Sequence, residues 1–593
     1  MTLEQTPTLN DLPLRLADFE TLAEALDYAA HGVTGLNYYD GRLSRYAVRP
    51  YVQLRMHARS LARRLRRLEL ERGARVAVIA ETGPDFAELF FACQYAGLVP
   101  VPMPVPTQLG AHRAYVEHLR GLVRSCKASV AIAPSGCLGY LEEACAGLDL
   151  RFVGDVRRFT ETYGDCIEVL EPAGPDELAY IQYTSGSTRF PRGVMVTQRQ
   201  LMSNLAGILR EGVAMRRDDR CVSWLPYYHD MGLVGMLLAP MAAQISVDYL
   251  GTREFAMRPR QWLSLISRSG ATISFAPPFA YELCTRRLRA GDAEQLDLSR
   301  WRVAGVGAEM IRPQALDAFA QALRPAGFDP GALLASYGMA ECGLAISFAP
   351  LGQGIAVDHV QQAHLERFRY ALRAGWLRRM NPYIRTKPLV DCGRALSSLE
   401  VEIRDEQGRV LPSRQVGIVH VRGPSVMAGY FDEPSATAEA LTGDGWLNTG
   451  DLGYLSDGRL VITGRQKDLI IVNGRNIWPQ DLEQIAEAQP GVRPGDAAAF
   501  AVPDTEEGDV PVLLLQTRET DAQRRQGLIE QLQASLGSEL GVRCRVALAA
   551  PHSLPRTTSG KPSRAQAREL YARLDALEPA AGEGTDSRER AAL

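Results

Sequence analysis

The spacing of hydrophobic positions changes along the chain and predicts alternating helices and strands in its first third. Residues 54–70 carry apolar side chains at helical spacing between arginines, whereas residues 75–80 form a short apolar run bounded by glycines. Helical spacing returns at 86–95, and the proline-rich segment 97–106 is typical of a strand and its exit. A strand, a helix and a second strand in this order predict a doubly wound α/β unit.

The middle of the chain favours short antiparallel strands. Apolar and polar residues alternate at 399–404 and again at 416–421, as they do in strands that bury one face. Residues 405–408 and 456–458 supply the Asp and Gly that are typical of hairpin turns. We therefore expect a β-rich subdomain at about 393–465.

The pattern predicts a second, smaller α+β unit at 466–577. Apolar runs at 497–502 and 511–516 indicate strands, and residues 524–540 indicate a helix. Residues 578–593 are rich in Ala, Gly, Glu and Arg, a composition that predicts a disordered tail.

Composition and charge exclude some classes of function. The chain has 593 residues, which is too long for one ordinary domain, and its net charge of −3 provides no basic field for nucleic acid. Ten cysteines are scattered without a CxxC pair, and no signal sequence is recognisable, so we expect a cytoplasmic protein. The most apolar window, 234–251, is interrupted by Gln244 and Asp248 and predicts a buried helix and strand with no integral membrane contact.

The strongest chemical signal is the segment Tyr183–Gly193, which reads YTSGSTRFPRG and follows a predicted strand at 178–181. Its small residues let the backbone approach phosphates, while its hydroxyls and arginines add donors and positive charge. The Walker pattern GxxxxGK[ST] is absent. The segment therefore predicts a different type of phosphate loop, and a flexible surface loop is the alternative.

Four further segments follow in a fixed order: 337–341 (YGMAE), 449–452 (TGDL), 464–468 (GRQKD) and 558–561 (TSGK). Together with the phosphate loop they resemble the adenylate-forming superfamily of acyl-CoA synthetases, luciferases and peptide-synthetase adenylation domains, over about residues 20–575. The resemblance implies an α/β fold. A large N-terminal domain of doubly wound sheets with the β-rich subdomain would occupy 1–465, and a mobile C-terminal domain would follow.

The resemblance also implies roles for particular residues. A carboxylate that attacks the α-phosphorus of ATP is repelled by it, so positive charge is needed where negative charge develops. Lys561 resembles the lysine that bridges the acid and the α-phosphate, and Glu341 resembles the ligand of Mg²⁺. Asp451 would accept the ribose hydroxyls, Tyr337 would stack on adenine, and Arg465 would contact the nucleotide. The other implied nucleotide contacts are Thr184, Ser185, Gly186, Ser187, Thr188, Arg189, Gly307, Ala308, Glu309, Gly338, Met339, Ala340 and Lys467.

Two residues would act in movement and positioning. Lys467 lies where the superfamily places the hinge between its two domains, which rotates between adenylation and thioester formation. His229 resembles the residue at the mouth between the acyl tunnel and the nucleotide. We expect a gating or positioning role for His229, because a carboxylic acid ionises without a base at neutral pH; a hydrogen-bonded core histidine is the alternative.

Several departures from the common superfamily pattern are similar to fatty acyl-AMP ligases, which pass the acyl group to the phosphopantetheine thiol of a carrier protein. Arg189 and Arg192 stand where Gly and Lys are common, and the segments 224–233 and 474–483 are distinctive. Residues 345–392 form a long insertion with a predicted amphipathic helix at 358–374. In that branch the insertion is thought to restrain the C-terminal domain and to disfavour CoA.

Three hypotheses for the function remain open on sequence alone. The first is a ligase that uses ATP and Mg²⁺ to convert a fatty acid to acyl-AMP and then loads a separate acyl carrier protein. The second is a long-chain acyl-CoA synthetase that uses free CoA, in which the insertion is only a loop decoration. The third is a non-catalytic protein that binds a nucleotide or an acyl-adenylate.

Overall fold

The computed structural model describes residues 4–8, 11–106, 112–165, 167, 169–184, 190–381, 383–472, 474–504, 508–557 and 562–576. The predicted disordered tail lies outside these residues. Strands alternate with helices through most of the described chain. The strands are β1 (Gly35–Tyr39), β2 (Arg45–Pro50), β3 (Arg75–Ile79), β4 (Val99–Met103), β5 (Ala128–Ile132), β6 (Phe152–Gly154), β7 (Leu178–Tyr183), β8 (Gly193–Thr197), β9 (Arg220–Ser223), β10 (Ser246–Leu250), β11 (Ile273–Ala276), β12 (Val303–Val306), β13 (Leu333–Gly338), β14 (Ala345–Phe348), β15 (Val357–Gln361), β16 (Thr386–Val390), β17 (Arg394–Ala395), β18 (Glu400–Arg404), β19 (Gly417–Arg422), β20 (Gly429–Tyr430), β21 (Leu447–Ser456), β22 (Arg459–Arg465), β23 (Ile470–Val472), β24 (Arg475–Ile477), β25 (Ala497–Asp504), β26 (Gly508–Gln516) and β27 (Arg545–Ala549).

The helices occur where the apolar spacing is helical, and local signals set their ends. Helix α3, for example, begins with a proline in its first turn and ends at Gly97, whose φ of 66° only glycine adopts at low cost. The helices are α1 (Leu22–Ala29), α2 (Tyr51–Arg66), α3 (Pro84–Ala96), α4 (His112–Ser125), α5 (Leu138–Cys145), α6 (Val156–Thr162), α7 (Gln198–Gly207), α8 (Asp230–Leu233), α9 (Ala239–Ala242), α10 (Thr252–Met257), α11 (Arg260–Ser269), α12 (Pro278–Arg287), α13 (Pro313–Ala322), α14 (Gln362–Phe368), α15 (Gly375–Met380), α16 (Pro434–Ala440), α17 (Pro479–Glu487), α18 (Ala522–Leu540) and α19 (Arg564–Ala576).

A nine-stranded sheet forms the centre of the N-terminal part, in the order β17-β14-β13-β12-β11-β9-β10-β1-β2. Its inner strands, from β13 to β1, are parallel, and the edge pairs are antiparallel. Every residue of β1, β9 and β10 is buried, as expected for parallel strands that are covered on both faces. The carboxyl ends of β9, β12 and β13 therefore meet at one edge, where α/β sheets place their ligands.

A second parallel sheet, β4-β3-β5-β6, confirms the predicted doubly wound unit. Next to it, the antiparallel sheet β20-β8-β7 carries the two strands that flank the phosphate loop. The window 234–251 forms a π-helical turn, helix α9 and strand β10, which confirms its prediction as a buried helix and strand. None of the helices in the described part of the chain is long and apolar enough to cross a membrane.

The β-rich region is the antiparallel sheet β18-β19-β21-β22. Asp457 and Gly458 join β21 to β22 with φ of 55° and 74°, the positive values that a two-residue hairpin turn requires. The resulting register places Asp451 directly opposite Arg465. The predicted strands at 399–404 and 416–421 are thus confirmed as β18 and β19.

The C-terminal part is built on the sheet β25-β26-β27 and on helices α17, α18 and α19. Two apolar clusters lie on its faces, one centred on Leu513 and Leu515 and the other on Val512 and Leu514. This alternation along β26 is the period-two pattern of a strand that is covered on both sides. The predicted helix at 524–540 is confirmed as α18.

The insertion differs from its prediction. Residues 358–374 were expected to form one amphipathic helix, but that prediction is wrong for both ends of the segment. Residues 357–361 form strand β15, which pairs with β16, and the helix extends only over Gln362–Phe368. The ladder to β16 satisfies the backbone groups of β15, and Arg369, with φ of 50°, ends α14. The spacing of apolar residues within 358–374 does not reveal a partner strand such as β16, whose first residue, Thr386, pairs with Gln361.

Candidate active site

A cavity of about 530 Å³ lies at the carboxyl ends of the central strands and extends to α17 and the start of α19. Six of the residues predicted to contact the nucleotide line it together. They are Ala308, Glu309, Tyr337, Gly338, Asp451 and Arg465. His229, Glu341 and Lys467 are not among its lining residues. The fold thus gathers side chains from β13, β21 and β22 and from the turn after β12 into one concave surface.

Tyr337, Asp451 and Arg465 form a connected group in this cavity. The Tyr337 hydroxyl donates to Asp451 Oδ2 at 2.7 Å, and Arg465 Nε lies 3.0 Å from Asp451 Oδ1. Burial, followed by the charge of Asp451, raises the pKa of Tyr337 well above its usual value. The Asp451 carboxylate also raises the pKa of Arg465. Both oxygens of Asp451 are therefore held in fixed directions.

The segment Gly307–Glu309 follows β12 in a conformation that ordinary residues avoid. Ala308 has φ of 66°, which costs a non-glycine residue about 1 kcal/mol or more. A side chain on Gly307 would lie 2.9 Å from the carbonyl oxygen of Ser336, so only glycine fits between β12 and β13. Backbone strain of this kind clusters at ligand sites, and here it directs Ala308 and Glu309 into the cavity.

Glu341 lies on the short turn Ala340–Cys342 after β13 and is 8% exposed. Its Oε1 accepts a hydrogen bond of 2.9 Å from the Tyr430 hydroxyl. Burial raises the pKa of Glu341, while the Tyr430 hydrogen bond and the charge of Arg465 lower it. Within the described residues, no group of three or more His, Cys, Asp or Glu could hold a metal. The charge of Asp230 also reaches Glu341 and raises its pKa. Carboxylate oxygens are the hard ligands that suit a Mg²⁺ ion shared with phosphates.

Gln182 was missed by the sequence analysis. Its Nε2 donates to the Tyr228 carbonyl at 2.5 Å, which ties strand β7 to the segment before His229. Gln182 Oε1 and His229 Nε2 are both buried and have no hydrogen-bond partner among the described residues. Buried polar atoms need a hydrogen-bond partner, which a bound water or a polar ligand group can supply. The one signal in the sequence that could have indicated Gln182 is its polarity near the end of the otherwise apolar strand β7.

A second cavity, of about 70 Å³, continues from the first and is mainly apolar. The two cavities share Ala308, Ser336, Tyr337 and Gly338. Its remaining lining is Ile208, Val213, Met215, Cys221, Asp230, Met231, Gly235, Ala239, Ile273, Phe275, Leu344, Ala345 and Phe348. A narrow apolar chamber beside a polar one suits a molecule with an apolar tail and a charged head.

The remaining predicted residues lie at the edges of the site or outside the described part of the chain. Thr184 closes the base of the phosphate loop, since its amide donates to the Arg192 carbonyl at 3.0 Å. Lys467 lies exposed on the turn Gln466–Asp468. Met339 and Ala340 connect β13 to Glu341. The predicted contacts Ser185, Gly186, Ser187, Thr188 and Arg189, and the predicted catalytic Lys561, lie outside the described residues.

The insertion and the C-terminal part are joined by several polar contacts. Lys387 Nζ lies 2.6 Å from Asp481 Oδ2 and 4.3 Å from the ring centre of Trp478. Arg475 Nη2 lies 2.6 Å from Glu366 Oε2, and both carboxylates of these pairs are largely buried. Further contacts join the Asn476 amide to the Glu366 carbonyl, Arg369 to Asn476, and Arg385 to the Ser538 carbonyl.

Comparisons with known proteins agree with this geometry. The family model of AMP-binding enzymes matches residues 42–431. A Caulobacter vibrioides protein to which acyl-CoA synthetase activity is provisionally ascribed is 47% identical, over 95% of this chain and 98% of its own. A medium-chain fatty acid–acyl-carrier-protein ligase of Moorena producens is 32% identical, over 93% of this chain and 95% of its own. A structure from a study of fatty acyl-adenylate ligases of E. coli and L. pneumophila has 46% identity and a TM-score of 0.90, over 95% of this chain and 100% of that one. The chain therefore belongs to the AMP-binding enzyme family and is a ligase of the adenylate-forming superfamily.

Proposed function

We propose that this enzyme joins a fatty acid to AMP at the expense of ATP and then passes the acyl group to the phosphopantetheine thiol of a separate acyl carrier protein. The observation that carries the proposal is the set of contacts between the insertion and the C-terminal part, through Lys387–Asp481 and Glu366–Arg475. The name of the Moorena relative, a carrier-protein ligase, supports the same acceptor. We further propose that the enzyme works in the cytoplasm, where its predominantly buried thiols stay reduced.

In the first step, an oxygen of the fatty acid carboxylate attacks the α-phosphorus. The bond from the α-phosphorus to the oxygen that bridges it to the β-phosphorus breaks, and pyrophosphate leaves with that oxygen and the electron pair of the bond. The nucleotide would occupy the large cavity, with Asp451 accepting the ribose hydroxyls and Tyr337 against the base. Because the Tyr337 and Arg465 contacts fix both oxygens of Asp451, the carboxylate needs little reorganisation to bind ribose.

Glu341 would hold Mg²⁺ beside the phosphates, since hard carboxylate oxygens suit that ion. When bound, the ion supplies positive charge against the charge that develops on the pyrophosphate leaving group. The Tyr430 hydroxyl would hold the buried Glu341 carboxylate in place through its hydrogen bond to Oε1. The phosphate loop, residues 184–189, would donate hydrogen bonds to the phosphates from Thr184, Ser185, Ser187 and Thr188 and from the Gly186 amide, with Arg189 adding charge.

Lys561 would supply the compact positive charge between the acid and the α-phosphate. His229 would orient the acid, because its Nε2 has no hydrogen-bond partner in the part of the chain that the structure describes and adjoins the segment that lines the apolar cavity through Asp230 and Met231. We place the hinge at Lys467, between a domain at 1–465 and one at 466–577. After the first step, rotation there would withdraw Lys561 and admit a thiol.

The contacts of the insertion argue for a carrier-bound thiol. Each pair, Lys387–Asp481 and Glu366–Arg475, buries a carboxylate that rotation of the C-terminal domain would leave unpaired. Free CoA has only its own binding energy to offset that loss, whereas a carrier protein adds a protein interface. The insertion would therefore favour the larger substrate.

A long-chain acyl-CoA synthetase that uses free CoA is the second candidate, because the Caulobacter relative bears that description. The match to a family of enzymes argues against a non-catalytic binding protein.

The deciding experiment is mass spectrometry of the products from ATP, Mg²⁺ and fatty acids of graded length, incubated alone, with CoA or with a holo carrier protein. Acyl-AMP that the carrier consumes while no acyl-CoA forms supports the proposal, and abundant acyl-CoA contradicts it.

A further inference from the structure

The exposed part of the insertion carries a strong positive charge in a chain whose net charge is −3. Between residues 361 and 385 there is one acidic residue, Glu366, which is buried against Arg475. The same stretch contains six arginines, namely Arg367, Arg369, Arg373, Arg378, Arg379 and Arg385. Ion pairs or hydrogen bonds engage Arg369, Arg373 and Arg385. Arg367, Arg378 and Arg379 are exposed, and the Arg367 guanidinium lies over the Phe368 ring.

Large apolar side chains lie among these arginines. Phe368 is 55% exposed, Met380 is 72% exposed and Tyr383 is 92% exposed. Removing such apolar surface from water is favourable, so a partner that covered these side chains would gain binding free energy. Arginine, methionine and aromatic residues are the side chains that are enriched in protein interfaces. We name these residues, Arg367, Phe368, Arg378, Arg379, Met380 and Tyr383, the insertion patch.

The insertion patch is connected to the large cavity by a single strand. Strand β16 begins at Thr386, three residues after Tyr383, and ends at Val390, which lines the cavity. Four steps along a strand span about 13 Å. Arg385, between the patch and β16, donates to the Ser538 carbonyl at the end of α18. A protein on the patch would thus lie beside both the cavity and the C-terminal part.

We propose that the insertion patch is the docking surface for an acidic protein, and, resting on the proposed function, that this partner is the acidic acyl carrier protein. The exposed arginines match its negative charge, and the distance along β16 suits a carrier whose extended prosthetic arm must reach the cavity. Electrostatic complementarity of this kind raises the association rate and fixes orientation. The insertion would then both disfavour CoA and recruit the acceptor that replaces it.

The direct test is binding of the apo carrier protein, which lacks the prosthetic thiol, to the full-length enzyme at low and physiological salt. We expect the double variant Arg378→Glu/Arg379→Glu to weaken binding about tenfold or more, because it opposes like charges. The control is Arg113→Glu/Arg157→Glu, since those arginines are 90% and 84% exposed on α4 and α6, next to the other parallel sheet. Tyr383→Ala provides an uncharged second variant, and we expect it to weaken binding as well.

The second measurement separates docking from chemistry. We expect the Arg378→Glu/Arg379→Glu variant to raise the KM for the holo carrier about tenfold, with unchanged pyrophosphate release and unchanged transfer to free pantetheine.

Equal binding of the carrier by wild type and by both patch variants overturns the docking surface. Binding of wild type, but not of the variant, to anionic lipid vesicles in preference to the carrier also overturns it and assigns the patch to a membrane surface. If the apo carrier binds but only CoA accepts the acyl group, the docking surface stands and the proposed function fails.

Discussion

The hydroxyl of Tyr337 donates a 2.7 Å hydrogen bond to the carboxylate of Asp451, which is 114 positions further along the chain. The bond joins the end of a central parallel strand to the antiparallel β-rich sheet. Arg465, directly opposite Asp451 in the hairpin, holds the other carboxylate oxygen. The ribose-binding geometry that we propose thus depends on three separate elements at once.

Replacement of Tyr337 by phenylalanine tests this relationship. We expect kcat/KM for ATP in acyl-AMP formation to fall about tenfold or more, because a hydrogen bond to a charged group contributes about 1.5–3 kcal/mol. Tyr454→Phe is the control, since Tyr454 donates a 2.7 Å hydrogen bond to Asp358 and does not line the cavity. An equal loss in both variants would show that Tyr337 has only a structural role.

Replacement of Lys387 by methionine removes the ion pair with Asp481 and keeps an aliphatic chain over Trp478. If the insertion restrains the C-terminal domain, acyl-CoA formation from free CoA rises while acyl-AMP formation is unchanged. Lys127→Met is the matched control, because Lys127 forms an exposed ion pair with Asp432. Unchanged acyl-CoA yield in Lys387→Met, measured by mass spectrometry, contradicts the restraint.

A buried ion pair at the centre of the large sheet is predicted to matter for stability. Arg220 and Asp248 on β9 and β10 are 2% and 0% exposed and are bonded at 2.6 and 2.8 Å. Asp248→Asn leaves a buried guanidinium without its counter-charge, so the free energy of unfolding should fall by about 3–5 kcal/mol. Denaturant titration of the Asp248→Asn variant and of wild type measures this difference in the free energy of unfolding. Asp176→Asn, which breaks the exposed pair with Arg199, should leave the unfolding midpoint nearly unchanged.

The small apolar cavity predicts a limit on acyl chain length. Ala239 lines it, so Ala239→Val fills part of the space that the far end of a long acid would occupy. We expect kcat/KM for the longest accepted fatty acid to fall about tenfold or more, with shorter acids spared. Ala242→Val is the control, because Ala242 lies on the same helix but does not line the cavity. Equal losses for all chain lengths would place the acyl group elsewhere.

His118 on α4 gives a prediction for pH. Burial lowers the pKa of His118 below its ordinary value of 6.5, so protonation favours the unfolded chain. The stability that the neutral ring contributes is complete above about pH 6.5 and is lost as the pH falls through the folded-state pKa. We expect the free energy of unfolding of His118→Gln to decrease less than that of wild type between pH 7.5 and 5.5. His552→Gln, at an exposed position, controls for the loss of an imidazole; identical pH profiles of wild type and His118→Gln would contradict the assignment.

Much of the fold could be predicted because local patterns carry it. The apolar run 75–80 became β3, and the alternating segment 399–404 became β18, since a strand's period shows in its own residues. The insertion was harder. Whether residues 358–361 join a helix or a strand depends on β16, which supplies their hydrogen bonds. Gln182 was missed because its polarity near the end of an apolar strand does not show that its side chain is buried and bonded to Tyr228, which is 46 positions away.

The sequence by itself identified the superfamily, because five short motifs in a fixed order resemble those of the adenylate-forming enzymes, and it predicted the chemical types of the site from that resemblance. It could not determine which of those residues meet. Tertiary structure decided that Tyr337 bonds to Asp451, that Ala308 adopts a positive φ at the cavity wall, and that Lys387 pairs with Asp481. The physical reason is that these contacts join residues far apart in the chain, and their energies depend on burial and direction, which only the packed sheets supply.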